Sequence, residues 1–292
     1  MITITPLHPV FAAEMTGVDL RTPPEAALVR QIDDAMDRFS VLVVRDQRLD
    51  DDQQMAFAKA MGPLETTRGV IDGHLHRLKH AEMIDISNLD TDDSIMRTDD
   101  RRRMFNLGNH LWHSDSSFKA TPAKHSMLHA RVIPPEGGNT EFADMRAAWD
   151  ALPEATQKLI EPMVCDHSLI YSRGLLGFDE FTEQEREAFA PVPQRLVRRH
   201  AGSGRRSIYL SAHIGTVHGW QRPEGLCLIR DLTEHATQRE FVYSHPWRLH
   251  DLVIWDNRCT MHRARPFDDR RYQRDMRRLT LEDTAPTLAQ PA

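Results

Sequence analysis

A mainly β fold with flanking helices, built on an antiparallel jelly-roll core (a double-stranded β-helix), is what this sequence predicts. Three observations lead there. Helical patterns gather near the front of the chain, strand-like runs dominate behind them, and no repeat or linker divides the 292 residues. A chain of this length buries a sizeable core, and the expectation is one domain over residues 1–292.

Residues 24–40 carry Leu28, Ile32, Met36 and Phe39 at helical spacing, which predicts an amphipathic helix. "VLVVRDQ" follows as a short buried strand. "DDDQQMAFAKAMG" predicts a second helix, with aspartates near its start and Gly62 at its end. From 63 to 104 the chain is polar and rich in turn residues, which suggests a lid-like insert. "HSMLHARVIPP" reads as a strand stopped by two prolines and "GGNTEFADM" as its return. Residues 145–163 are helical with a break near Pro153. Residues 195–212 form two strands about a Gly-Ser-Gly turn. A helix near "LCLIRDLTEHATQ" gives way to strands through 241–264 and again at "RDMRRLTLED".

Composition narrows the function. Hydrophobic residues make up 40% and charged residues 27%, a globular balance. The net charge of −6 offers no basic field for nucleic acid. No apolar run nears the roughly 20 residues that cross a bilayer, and the first residues do not read as a signal peptide. Cys165, Cys227 and Cys259 are scattered, which argues against a disulfide framework or thiolate zinc site and fits a reducing cytoplasm.

The stretch "NHLWHSDSSF" poses the functional question. In an extended segment His113 and Asp115 point to one side, with Ser114 opposite. The pattern suits either an exposed polar turn or part of a metal site, since two histidines and one carboxylate with open positions form the facial set of non-haem Fe(II) oxygenases. His74, His76 and His80, with Glu82 nearby, compete as a zinc-hydrolase cluster or as a solvated basic loop. Downstream, His262 follows a strand-like run. Arg274 and Arg278, four apart, share a face, or else belong to a basic surface stripe.

At these residues the chain resembles a known family: the Fe(II)- and 2-oxoglutarate-dependent dioxygenases of the taurine and 2,4-dichlorophenoxyacetate type. The likeness runs nearly end to end, through "PLHPVFAAEMTGVDLR", "LWHSDSSF", "PPEGGNTEFADMRAAWDALP", "HAGSGR", "EHATQREFVY" and "VIWDNRCTMHRA". It implies iron on His113, Asp115 and His262. It further implies Thr140 and Arg274 on the far carboxylate of 2-oxoglutarate, and Arg278 on the acidic group of the substrate. Asn109 would stand beside that substrate, while His213 and Trp112 would either line the pocket or pack in the core. The stretch 66–79 departs from the family's pattern and leaves the outer pocket wall without assigned residues.

The implied reaction uses O2 and 2-oxoglutarate, releasing succinate and CO2. It hydroxylates an aryloxyalkanoate at its ether-linked carbon, and the product falls apart to a phenol and glyoxylate. A taurine-like sulfonate is the alternative substrate, and a ligand-binding jelly roll without iron the non-enzymatic one. The expected partner is a small organic acid, with neither nucleic acid nor membrane, and the expected assembly is a homo-oligomer.

Overall fold

The computed structural model describes residues 1–66 and 77–291. It opens on an antiparallel pair, β1 (Thr3–Pro6) and β2 (Ala13–Thr16). Both are too short for an alternating pattern to register. The helix predicted at 24–40 forms as α1 (Ala26–Phe39), burying Ile32, Ala35, Met36 and Phe39. Ser40 ends it at φ 60°, its N–H bonded to the Met36 carbonyl, and the chain turns directly into β3 (Val41–Val44), which is buried throughout. Next, α2 (Asp51–Met61) starts with a reciprocal capping box between Asp50 and Gln53 and stops at Gly62, as expected.

The polar segment 63–104 is partly regular. It supplies β4 (Ile84–Ser87) and most of α3 (Arg101–Asn106), which runs into a 3-10 turn at Leu107–His110. β5 (Ala123–Val132) and β6 (Thr140–Asp144) flank the Pro-Gly turn. The break at Pro153 separates α4 (Met145–Asp150) from α5 (Glu154–Ile160), with the proline capping the latter. β7 (Val164–His167), α6 (Leu169–Gly174), α7 (Glu183–Ala188) and β8 (Val192–Arg195) lead to the expected hairpin of β9 (Val197–Arg199) and β10 (Arg206–Ile208). Gly204 supplies a left-handed residue (φ +68°) in its turn. β11 (Ile214–Val217), α8 (Arg222–Ala236), β12 (Val242–His245), β13 (Leu252–Asp256), β14 (Thr260–Ala264) and β15 (Asp275–Glu282) complete the chain.

Seven strands form the main sheet, in the order β1-β2-β3-β13-β5-β15-β4, and all neighbours are antiparallel except β2 and β3. Side chains alternate across it. Leu42, Val44, Met127, Ile254, Leu279 and Leu281 pack with the helical residues Ile32, Met36 and Phe57. Val41, Val43, Leu128, Val253, Trp255 and Met276 face the other way and meet Phe142 of the three-stranded sheet β12-β6-β14. The molecule is therefore a mainly β structure with helices on one face and a second sheet on the other. The site lies between the sheets. No helix of the described residues is long and apolar enough to cross a membrane.

A buried polar knot braces the β13–β14 turn. The Asp256 carboxylate, fully buried, accepts from Arg258 (2.6 Å), His200 (2.9 Å) and His125 (3.3 Å). Burial works against a charged His200, but Cys259 and Asp256 beside it outweigh that and raise its pKa to about 10. A pKa raised from 6.5 contributes stability that is complete below 6.5 and lost as pH climbs through about 10. The melting temperature is therefore expected to fall between pH 7 and pH 10, and to fall less in His200→Gln. Parallel thermal melts of the two proteins check this; identical pH slopes would remove His200 from the account.

Candidate metal centre and pocket

His113 and His262 are joined by their own backbones. The His113 N–H donates to the His262 carbonyl at 3.0 Å and the His262 N–H returns a bond at 2.8 Å, an isolated antiparallel bridge. Residues paired this way present side chains to one face, and the ring centroids stand 4.2 Å apart. Asp115 begins the turn that follows. Its Oδ1 lies 3.8 Å from His113 Nε2 and its Oδ2 lies 3.7 Å from His262 Nε2. These three donors are close enough to share one ion, and all are buried.

Hydrogen bonds prepare the ligands. Nδ1 of His113 meets the Leu111 carbonyl at 2.7 Å, which fixes its proton there and leaves the Nε2 lone pair facing Asp115. His262 is held between Trp255 (centroids 4.7 Å) and Phe142 (6.1 Å). Burial lowers the pKa of both imidazoles, so they stay neutral and able to bind metal. For Asp115 burial pushes upward, but the Arg278 guanidinium and the Ser126 hydroxyl help to hold it down at about 2. It is a carboxylate at any physiological pH.

A cavity opens from His113 and His262, walled by Ile86, Asn88, Asn109, Thr140, Arg274 and Arg278, with Leu107 and Phe267 among its apolar lining. Arg274 is the unusual member. It is 7% exposed, its pKa is depressed to about 10 by burial, and among the described residues no carboxylate pairs with its guanidinium. Its backbone is pinned instead: Asn88 Oδ1 accepts from the Arg274 N–H at 2.8 Å. Nearby, the Trp247 indole N–H donates to Thr140 Oγ1 at 3.0 Å, which leaves the threonine hydroxyl proton free to donate onward. Arg278, on β15, donates to Asp115 Oδ1 at 2.7 Å.

The structure thus brings together His113, Asp115, His262, Thr140, Arg274, Arg278 and Asn109. His213 lies elsewhere than the pocket wall. It stacks edge-on behind His113 (centroids 6.1 Å), with Nδ1 2.9 Å from Ser172 Oγ. Trp112 packs with the α8 core and under Arg263. Of the competing histidine cluster, His74 and His76 lie outside the described residues, and His80 is 2.6 Å from Asp52. Asn88, Trp247 and Arg103, which lines the cavity and is paired to Asp269, carry no local sequence signal; each reaches the site only through a distant partner.

Residues 3–280 match the model of the taurine catabolism dioxygenase TauD, TfdA family. The chain belongs to that family. It is 48% identical, over 97% of its length and 99% of the relative's, to the alpha-ketoglutarate-dependent 2,4-dichlorophenoxyacetate dioxygenase of Cupriavidus pinatubonensis. It is 36% identical, over 91% of its length and 90% of the relative's, to the (S)-phenoxypropionate/alpha-ketoglutarate-dioxygenase of Sphingobium herbicidovorans. The crystal structure of AAD-2 in complex with Mn(II) and N-oxalylglycine superposes with a TM-score of 0.91 at 52% identity, covering 99% of this chain and all of that one. The zinc-hydrolase alternative finds no support among these relatives.

One further residue shapes this dioxygenase pocket from behind. Arg173 on α6, 6% exposed, stacks over Phe105 at 4.4 Å and fills the space against Gly108, beside Asn109. A Cβ at Gly108 would come within 2.3 Å of the Arg173 guanidinium carbon. Gly108→Ala is expected to cost about 1–3 kcal/mol, the usual range for overpacking. The cost should shrink when Arg173→Ala is present as well. Urea melts of the single and double variants measure it, and additive losses would mean the two positions do not clash.

Proposed function

We propose that this chain is an Fe(II)- and 2-oxoglutarate-dependent dioxygenase that cleaves aryloxyalkanoates of the 2,4-dichlorophenoxyacetate kind. Its core on this reading is a double-stranded β-helix in one domain, with 63–104 as a lid-like insert. The observation that carries the proposal is Arg274, a buried cation with no acidic partner among the described residues, in a cavity that opens from His113 and His262. A charge left unpaired in a dry site is costly, and a ligand carboxylate removes that cost. 2-Oxoglutarate has two carboxylates, one for the metal side and one for Arg274.

The residues divide the work. His113, Asp115 and His262 would hold iron, which supplies the oxidative decarboxylation of 2-oxoglutarate with O2 to succinate and CO2. Arg274 and the Thr140 hydroxyl, oriented by Trp247, receive the far carboxylate. Arg278 receives the carboxylate of the substrate, and Asn109 stands beside it. Ile86, Leu107 and Phe267 offer the apolar wall that an aryl ring needs. One oxygen atom enters at the carbon between ether oxygen and carboxylate, and the hemiacetal so formed splits to a phenol and glyoxylate. Three unpaired cysteines support a cytoplasmic home, and we place the enzyme there as a homo-oligomer.

Succinate and phenol, assayed with Fe(II) and 2-oxoglutarate over a panel of aryloxyacetates and taurine, test the substrate. Phenol release from aryloxyacetates is expected. Brisk taurine-dependent succinate without phenol would overturn the substrate while leaving the reaction class. His113→Ala and His262→Ala are each expected to abolish turnover.

Arg274→Ala should raise the 2-oxoglutarate requirement by at least roughly 30-fold, the lower end of the 2–5 kcal/mol lost when one partner of a buried charge pair is truncated. Titration of both substrates decides it. A defect confined to the aryloxyacetate would assign the cosubstrate to another arginine.

A further inference from the structure

Ser126 and Asn257 are two fully buried polar residues outside the ligand set, one on the central strand β5 and the other just past β13. A buried hydroxyl or amide is tolerated only when bonded, and here the bonds close a ring on Asp115. The Asp115 N–H donates to Asn257 Oδ1 at 3.1 Å. Asn257 Nδ2 donates to Ser126 Oγ at 2.9 Å, and Ser126 Oγ donates to Asp115 Oδ2 at 2.7 Å.

The direction of every bond is forced. Asn257 Oδ1 receives two groups that only donate, the Asp115 N–H and the Trp255 indole N–H at 3.0 Å. An amide turned the other way would oppose NH2 to both, so its nitrogen must face Ser126. The amide then occupies a lone pair of the Ser126 oxygen and leaves the single hydroxyl proton for Asp115. Thr280 Oγ1, 3.4 Å from Ser126, is the other group in reach and is the weaker contact. On its opposite oxygen Asp115 takes Arg278 at 2.7 Å. Both carboxylate oxygens are thereby tethered, and the plane of the carboxylate is set before any ligand arrives.

We propose that Ser126 and Asn257 are positioning residues that fix the rotation of Asp115, so that it meets the metal in a single orientation. The proposal rests on the metal-centre reading above. Outer hydrogen bonds to a ligand typically change metal affinity by 10–100-fold when removed. Ser126 is not itself part of the cavity lining, so its effect should appear on the metal first.

The test is Mn(II) binding to the full chain, followed by the EPR signal of free Mn(II), for the wild type, His113→Ala, Ser126→Ala, Ser126→Thr and Asn257→Ala. Ser126→Ala is expected to weaken Mn(II) binding about 10–100-fold, with the metal-free melting temperature lowered by no more than the loss of one buried hydrogen bond. Ser126→Thr keeps the hydroxyl on a strand that favours β-branched residues and should restore most of the affinity. Asn257→Ala should weaken binding too. The loss in the double variant should be smaller than the sum of the two single losses, because both residues act on Asp115 within one hydrogen-bonded ring.

Wild-type affinity in Ser126→Ala would overturn the proposal. So would a Ser126→Ala protein that melts much lower without metal and is not rescued by threonine, since the ring would then hold the fold rather than the ligand. If the wild type and His113→Ala bound Mn(II) alike, the failure would belong to the metal-centre reading instead.

Discussion

The pair of backbone hydrogen bonds between His113 and His262 is the constraint on which the site depends. It ties the segment leading into β5 to the strand β14 of the smaller sheet, and so locks together the two layers that face each other across the cavity. Because the contact is made by main chain, the two imidazoles are held at a spacing that does not depend on the ion between them. Asp115 is then delivered two residues on, at the start of a turn, and need only be oriented. The rest of the inner face, from Trp255 and Phe142 against His262 to Leu111 under His113, fixes the tilt of rings already placed.

Electrostatics complete that arrangement. Arg278 donates to Asp115, Arg173 stands within electrostatic reach of it, and Arg274 lines the same cavity, so three positive charges gather about the site. Water screens none of them well, since all are largely removed from solvent. A site so biased favours anions, and a dianionic cosubstrate with an acidic substrate matches the excess. The same field acts on Asp115, keeping it ionised in surroundings that would otherwise protonate it. The binding of small acids and the readiness of the metal ligand thus have a common source.

Much of this was legible in the sequence wherever the signal was local. α1 announced itself by Leu28, Ile32, Met36 and Phe39, β5 by an apolar run ending at two prolines, and the β9–β10 hairpin by Gly-Ser-Gly. Strands of three or four residues, such as β7, β8 and β11, are too brief for any period to show. His113 and Asp115 gave a weak pattern that gained weight from the downstream His262 and then from the family likeness. His213 and Trp112 illustrate the limit: the sequence left open whether they line the pocket or pack in the core, and only the packing sets them behind it. The bonds from Asn88 to Arg274, from Trp247 to Thr140 and from Asn257 to Ser126 join residues far apart in the chain. No periodicity encodes such pairs.

The segment 63–104 has one more lesson, because its strand β4 is hydrogen-bonded to β15 along Asp275–Arg278. The outer wall of the pocket is thus also the border of the main sheet, and Ile86 serves both. Anyone hoping to retarget this enzyme by swapping that stretch for a relative's would be transplanting a sheet border along with its flanking turns. A chimera that kept Ile84–Ser87 and exchanged only the flanking turns would leave β15 paired and its arginines aimed. One that exchanged the strand would expose the edge on which both Arg274 and Arg278 depend. Modularity here stops at a hydrogen-bonded border that the loop-like composition of the segment conceals.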